Sequence, residues 1–386
     1  MTKQTKTFIF LMEIGQPSFL NAMKKCFFLF LFIPLFTNGQ SPRDAAIERI
    51  ESIPNLGIYY NMYIGNRMPF TDIEAKGANE TSLNGRFVVD YGTDTSVVDL
   101  NGFPGYCLYR TNDQNYSLTF RNGVYRNGSF IQYCYNQDLS YITASGIRET
   151  GIIGTDILSK IIVTLDYQSS RLYIVDDTGK QCKPVDLAKD GLIPASTKGY
   201  FSNDKKALVL KDKNNIPTIP VVIGDKIDTA QALAQIDPGY DDKCSLNGNY
   251  NTYYTHIINI NKLYFDHLKK MGIAITVDKR SYYTLGNRTG IPDTLFKCSF
   301  SKNYVFNIIG TKGESVIPYG TDECNVFLKV NGPGGQSAGG ITALPFPAAQ
   351  FGGSFLLDCD RIIFDPFRSL VWFQSKRVFK KIDSKQ

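Results

Sequence analysis

A chain of 386 residues, 43% hydrophobic and 20% charged, has the apolar content of a large folded protein and is not intrinsically disordered. Its formal net charge of +6 falls to +3 once the first 40 residues are set aside, since they carry Lys3, Lys6, Lys24 and Lys25 against Glu13. So mild an excess argues against nucleic acid or an anionic membrane surface as a partner.

The chain opens on a leader. Met23-Lys-Lys-Cys26 precedes Phe27–Phe36, which is apolar apart from Pro34, and Thr-Asn-Gly-Gln-Ser41 follows. A short positive region, a short apolar run and small or polar residues predict a secretory signal peptide over residues 1–40. The apolar run is too short to span a bilayer, so the expectation is an exported protein, periplasmic or extracellular, without stable membrane insertion. Met23 is the better start, residues 1–22 being either an upstream misreading or an extended leader. Seven cysteines remain after the leader, widely spread and without a Cys-x-x-Cys pair, and only His256 and His267 are present. Neither a zinc site nor any other cofactor is implied.

Ser41–Pro54 has apolar residues at helical spacing and predicts a short lead-in helix. From Leu56 the pattern changes to short β runs: Ile58–Ile64, Phe70–Glu74, Arg86–Val89 and Ser96–Leu100. Aromatic residues at 13% suit strands, and Asn-Gly pairs at 84–85, 101–102, 122–123 and 127–128 predict turns. Residues 41–177 therefore read as an all-β lobe. Residues 178–215 read as a polar connection, with one strand over Ala207–Leu210. Residues 216–386 read as a second β lobe. There, Pro217 and Pro220 predict an edge strand over Ile216–Gly224, and Asn259–Met271 predicts a helix. Gly332–Gly340 is a flexible loop and Phe351–Phe373 closes the fold.

The two lobes repeat one another. Pro69 stands 21 residues before Asp90, and Pro217 stands 20 before Asp237. Ile152-Ile-Gly154-Thr-Asp-Ile-Leu158 parallels Phe351-Gly-Gly353-Ser-Phe-Leu-Leu357, and each glycine precedes an aspartate, Asp166 or Asp365, by 12 residues. The period is far too long for a solenoid, so one β lobe is used twice. Each copy carries one strand-end Asp-x-Gly, in Val-Val-Asp90-Tyr-Gly-Thr93 and in Gln-Ile-Asp237-Pro-Gly-Tyr240. Packed about a pseudo-two-fold axis, the two carboxyls would face one another and share a proton. The charged member then takes a proton from a water attacking a carbonyl, while the protonated member hydrogen-bonds the carbonyl oxygen.

These paired blocks resemble the aspartic protease superfamily, bacterial retropepsin-like and pepsin-like members above all, from about Leu56 to Phe373. The resemblance implies a bilobal single chain with a peptide cleft between its lobes. It makes Asp90 and Asp237 the catalytic dyad, with Gly92, Thr93, Gly239 and Tyr240 completing the motifs and Gly154 and Gly353 in supporting loops. The family's residue after each aspartate gives a hydroxyl to a cross-lobe grip, but here it is Tyr91 and Pro238. Thr93 keeps the outer hydroxyl position and Tyr240 does not. The expected function is an exported aspartic endopeptidase acting on a peptide or protein substrate, best in acid. The alternative is a catalytically inactive relative that binds peptide or a partner in the groove. A flap is expected between Tyr116 and Thr143, with Gly123 or Gly128 as candidates for its tip. Tyr133 and Tyr135 are placed to reach substrate, but in a chain this rich in Tyr the expectation for them is ordinary β packing. Asp94, Asp241 and Asp242 are expected in solvated turns, Asp242 being the one able to rim the cleft. His256 and His267 are expected on the surface or on a helix.

Overall fold

The apolar runs pair into two sheets, the larger of which takes strands from both halves of the chain. The computed structural model describes residues 58–77, 82–93, 96–99, 116–120, 146–175, 187, 191–197, 216–248, 252–285, 292–331 and 340–376. By its contacts the chain divides after Glu48, and all described residues belong to the unit Arg49–Gln386.

The first half supplies β1 (Ile58–Gly65), β2 (Met68–Gly77), β3 (Ser82–Val89), β4 (Val97–Val98), β5 (Tyr116–Phe120) and β6 (Glu149–Ile153). Helix α1 (Thr155–Leu158), β7 (Ile162–Asp166), β8 (Arg171–Val175) and β9 (Ile193–Ser196) follow. The second half supplies β10 (Thr218–Gly224), β11 (Thr229–Ile236), β12 (Ile257–Ile260), α2 (Lys262–Lys270), β13 (Ile275–Leu285) and β14 (Asp293–Phe300). It ends with β15 (Val305–Ile308), β16 (Tyr319–Gly320), β17 (Asn325–Val330), β18 (Ala348–Phe351), α3 (Gly353–Leu357), β19 (Cys359–Asp365) and β20 (Leu370–Ser375). The molecule is thus mostly β with few short helices, in two mixed sheets. The larger runs β4-β6-β3-β2-β1-β8-β7-β19-β20-β9, with β5 also on β2. The smaller runs β13-β14-β17-β12-β18-β11-β10-β15-β16. No helix among the described residues is long and apolar enough to cross a membrane.

The same connections occur in both halves. Hairpin β2–β3 sends β3 alongside β6 in parallel, with β4 antiparallel on the far side of β6. Hairpin β10–β11 sends β11 alongside β18 in parallel, with β12 antiparallel on the far side of β18. Both β3 and β11 alternate in exposure at first and are wholly buried over their last three residues, Phe87-Val-Val89 and Ala234-Gln-Ile236. Strand β11, Thr-Ala-Gln-Ala-Leu-Ala-Gln-Ile, has weak β propensity. Pairing on both sides and core burial of Ala230, Ala232 and Ala234 decide its conformation instead.

Hairpins β7–β8 and β19–β20 close with the same turn. Asp166 Oδ1 accepts from Ser169 N at 2.8 Å and Asp365 Oδ1 from Arg368 N at 3.1 Å. Ser170 (φ 56°) and Ser369 (φ 54°) take the left-handed conformation one residue later. The repeated Asp166 and Asp365 are therefore turn anchors.

Four local expectations need correction. Asn84-Gly85 is no turn: it lies inside β3 opposite Glu74 and Ile73, so the hairpin connection falls between Gly77 and Ser82. The polar connection contains β9, an edge strand on β20, where Pro194 removes no ladder bond on the open side. Strand β10 lies between β11 and β15 and is not an edge. Pro220 fits because its carbonyl still accepts from Ile309 N at 3.0 Å, just past the end of the β15 ladder. The predicted helix starts later, at Lys262, because Ile257–Ile260 pairs as β12 and Asn261 caps α2, its side chain accepting from Tyr264 N at 2.9 Å. The leader, the lead-in helix, the other three Asn-Gly pairs, Ala207–Leu210, Asp94, the flap candidates Gly123, Gly128, Tyr133 and Tyr135, and residues 332–339 lie outside the described residues.

Candidate active site

Asp90 and Asp237 stand at equivalent points, each one residue past the buried end of its strand. The Asp90 N–H donates to Ile153 O and the Asp237 N–H to Phe351 O, both at 3.0 Å, so the parallel neighbours β6 and β18 fix both backbones. Each aspartate is only 7% exposed. Gly92 N donates to Asp90 Oδ1 at 2.6 Å.

The two loops interlock. A Cβ added to Gly92 would lie 2.7 Å from Asp237 Oδ1, and one added to Gly239 would lie 2.5 Å from Asp90 Cγ. Each motif glycine therefore packs against the carboxyl of the other motif, an approach closed to any larger residue. The structure thus brings Asp90, Gly92, Asp237 and Gly239 into one cluster, with both carboxyls buried and both glycines half-buried.

The cluster holds more negative charge than it can ionise. Asp237 is pushed well above the usual carboxylate range, first by burial, then by the charge of Asp90 and a hydrogen bond between the two side chains. Opposing this, Gln350 Nε2 donates to Asp237 Oδ2 at 2.7 Å, and Lys329 supplies positive charge. Glu149, at the start of β6 opposite Arg86, is pushed up to about 8 by burial and then by the charges of Asp90 and Asp99.

Thr93 and Tyr240 tie these loops to the short helices. Thr93 O accepts from Thr155 N at 2.8 Å and from Thr155 Oγ1 at 3.1 Å, and Tyr240 O accepts from Gly353 N at 3.3 Å. A second tie has its polarity exchanged between the halves. In the first, Ser96 N and Oγ donate to Asp156 Oδ1 on α1, at 2.9 and 2.6 Å. In the second, Ser354 N and Oγ on α3 donate to Asp242 Oδ1, at 3.1 and 2.7 Å.

Asp242 is fully buried, so its placement in a solvated turn is corrected: two Ser354 donors and Arg67 Nε at 3.1 Å replace water. Asp241 pairs with Arg67 and accepts from Asn66 Nδ2 at 3.3 Å. The hydrogen-bond register sets Gly154 against Gly352, the residues capping α1 and α3. Gly353 stands one residue further on, against the Arg67 carbonyl. The equal spacing to Asp166 and Asp365 arises because α3 is one residue longer than α1.

Tyr91 and Pro238 are both buried. Tyr91 stacks on Phe364 of β19 with ring centroids 3.7 Å apart and planes at 9°, so aromatic packing anchors the first loop where a hydroxyl grip was absent from the sequence. The Tyr240 hydroxyl bonds the Tyr283 hydroxyl at 2.8 Å. His256 sits among aromatic rings, 5.3 Å from both Tyr319 and Phe355, with Asp358 3.8 Å from its Nε2, and His267 lies in the last turn of α2. Burial raises the thiols of Cys244 and Cys298 to about 12, which removes them as nucleophiles.

Sequence reasoning missed Gln350, Asn259, Glu149 and Arg67. Single amide or charged residues on strands and turns carry no local pattern, and only their contacts identify them. No protein-family model matches this sequence, and no curated protein matches it either.

Proposed function

We propose that this chain is an aspartic endopeptidase hydrolysing peptide bonds with a water activated between Asp90 and Asp237. The observation that carries this reading is the interlock of the two Asp-x-Gly loops, each glycine against the other's carboxyl. We further propose two homologous lobes related by a pseudo-two-fold axis. Supporting this, the shared turns make Asp166 equivalent to Asp365 and Thr164 to Ile363. The β7–β19 ladder pairs Thr164 with Ile363 and is symmetric about that pair, Val163 meeting Phe364 and Leu165 meeting Ile362.

In this mechanism Asp237 keeps the shared proton and Asp90 carries the charge. Asp90 takes one proton from the water as the water oxygen bonds the substrate carbonyl carbon. Asp237 passes its proton to the carbonyl oxygen, giving a neutral gem-diol. The C–N bond breaks as the nitrogen takes the proton held by Asp90, and the diol returns one proton to Asp237. Burial and the neighbouring Asp90 keep the proton on Asp237 throughout acid to mildly acidic solution, where we propose the reaction runs. We propose that the substrate is an extended peptide or protein met after export.

The test is cleavage of a denatured protein between pH 3 and 7, with and without pepstatin. Asp90→Asn and Asp237→Asn are each expected to lose at least ~10²-fold in rate. No cleavage by the folded protein at any of these pH values would overturn the proposal in favour of a silent, groove-binding protein.

A further inference from the structure

Behind the dyad runs a chain of side-chain amides and hydroxyls that the water-activating reaction does not itself require. Gln350 is the first link. Its Nε2 donates to Asp237 Oδ2 at 2.7 Å, and its Oε1 accepts from Asn259 Nδ2 at 3.4 Å. Asn259 also bonds the Tyr240 hydroxyl, which bonds the Tyr283 hydroxyl at 2.8 Å. The strands make this possible: Asn259 of β12 stands directly opposite Gln350 of β18, and Gln350 opposite Gln235 of β11, two residues before Asp237.

The chain fixes which way the Gln350 amide points. With the Asn259 NH2 facing Gln350 Oε1, the Gln350 NH2 faces Asp237, and the reversed amide would set oxygen against oxygen at Asp237 and NH2 against NH2 at Asn259. An oxygen that accepts from an amide NH2 is held as an acceptor. Among the described residues, no donor reaches the other oxygen, Asp237 Oδ1, which is buried.

We propose that Gln350, oriented by Asn259 and Tyr240, is a positioning residue of the dyad that holds Asp237 Oδ2 as an acceptor and so directs the shared proton to Oδ1. The inference rests on reading Asp90 and Asp237 as one proton-sharing pair. It gives the two otherwise similar aspartates different roles, because the residue equivalent to Gln350 in the first half is Ile152, which has no donor. The titratable groups acting on Asp237 are Asp90, from the loop after β3, and Lys329, from β17. The first raises it and the second lowers it, as Gln350 does.

Removing the Gln350 donor is therefore expected to move the Asp237 titration upward. The test uses the full mature chain with 13C-labelled aspartate carboxyls, the Asp237 signal being assigned by its loss in Asp237→Asn. In Gln350→Met the Asp237 midpoint is expected to rise by on the order of one pH unit, with the alkaline limb of the cleavage profile moving equally. Tyr240→Phe keeps Gln350 but loosens Asn259, and a smaller rise is expected there. It also serves as the second variant should Gln350→Met fail to fold. A midpoint in Gln350→Met at or below the wild-type value overturns the inference, even where cleavage is normal. A raised midpoint in a protein that cleaves nothing upholds the positioning of the proton and removes only the peptidase reading.

Discussion

Arg361→Met is expected to destabilise the protein by about 3–5 kcal/mol at pH 7. Arg361 on β19 is 1% exposed and Asp166 on β7 is fully buried, with Arg361 Nε 3.4 Å from Asp166 Oδ2. They are also directly opposed in the ladder that joins the two hairpins. Burial is the largest influence on Asp166 and raises its carboxyl, while the Ser169 N–H and the Arg361 charge pull it back. Without Arg361 the buried carboxylate keeps the Ser169 bond and loses its counter-charge. Its folded-state value then rises further, so the added instability is absent below the unfolded value of 3.8 and grows as pH rises above it. Urea unfolding at pH 7 and pH 3 measures this. A loss under 1 kcal/mol at pH 7, or an equal loss at both values, would show that the pair does not join the hairpins energetically.

Glu149→Gln is expected to act in the opposite direction, stabilising the protein above neutrality. Glu149 is 8% exposed and its carboxyl moves from 4.5 to about 8 on folding. Below 4.5 both folded and unfolded chains hold the proton, so the residue has no effect. Between 4.5 and about 8 only the folded chain holds it, and stability falls as pH rises through that window. A glutamine has no proton to lose, so the variant gains relative to wild type up to a plateau above about pH 8, on the order of 5 kcal/mol at most. Thermal unfolding at pH 4 and pH 8 checks it: equal midpoints are expected at pH 4 and a higher one for the variant at pH 8. A gain at pH 4 as large as at pH 8 would place the effect elsewhere. Asp237, raised in the same direction, adds to the same trend. Protons held by Glu149 and Asp237 thus contribute stability in acid, the range in which the proposed chemistry runs.

The two Asp-x-Gly loops were legible in the sequence because a strand-end carboxylate followed by glycine is a local signal, and because it occurs twice in order. Most strands in the first half were legible for the same reason, through β-branched and aromatic runs. Strand β11 was legible only through the repeat, which set a strand end at Asp237, since its own Ala and Gln residues carry no β signal. Strand β9 hid in a polar stretch because a four-residue edge strand needs little apolar surface. Pro220 pointed to an edge because sequence does not show where the neighbouring ladder stops. Asp242 looked solvated because adjacent aspartates usually are, and its partners Arg67 and Ser354 lie more than a hundred residues away on either side. Gly353 matched Gly154 by spacing, but the hydrogen bonds choose Gly352, a one-residue difference absorbed by the longer α3.

The central claim is that Asp90 and Asp237 act as one site. A double-mutant cycle on kcat/KM for peptide cleavage, using Asp90→Asn, Asp237→Asn and the double variant, tests it most directly. Two carboxyls sharing one proton and one water fail as a unit, so each single variant is predicted to fall to the same residual rate as the double. Losses that add across the cycle, or substantial cleavage retained by either single variant, would contradict it.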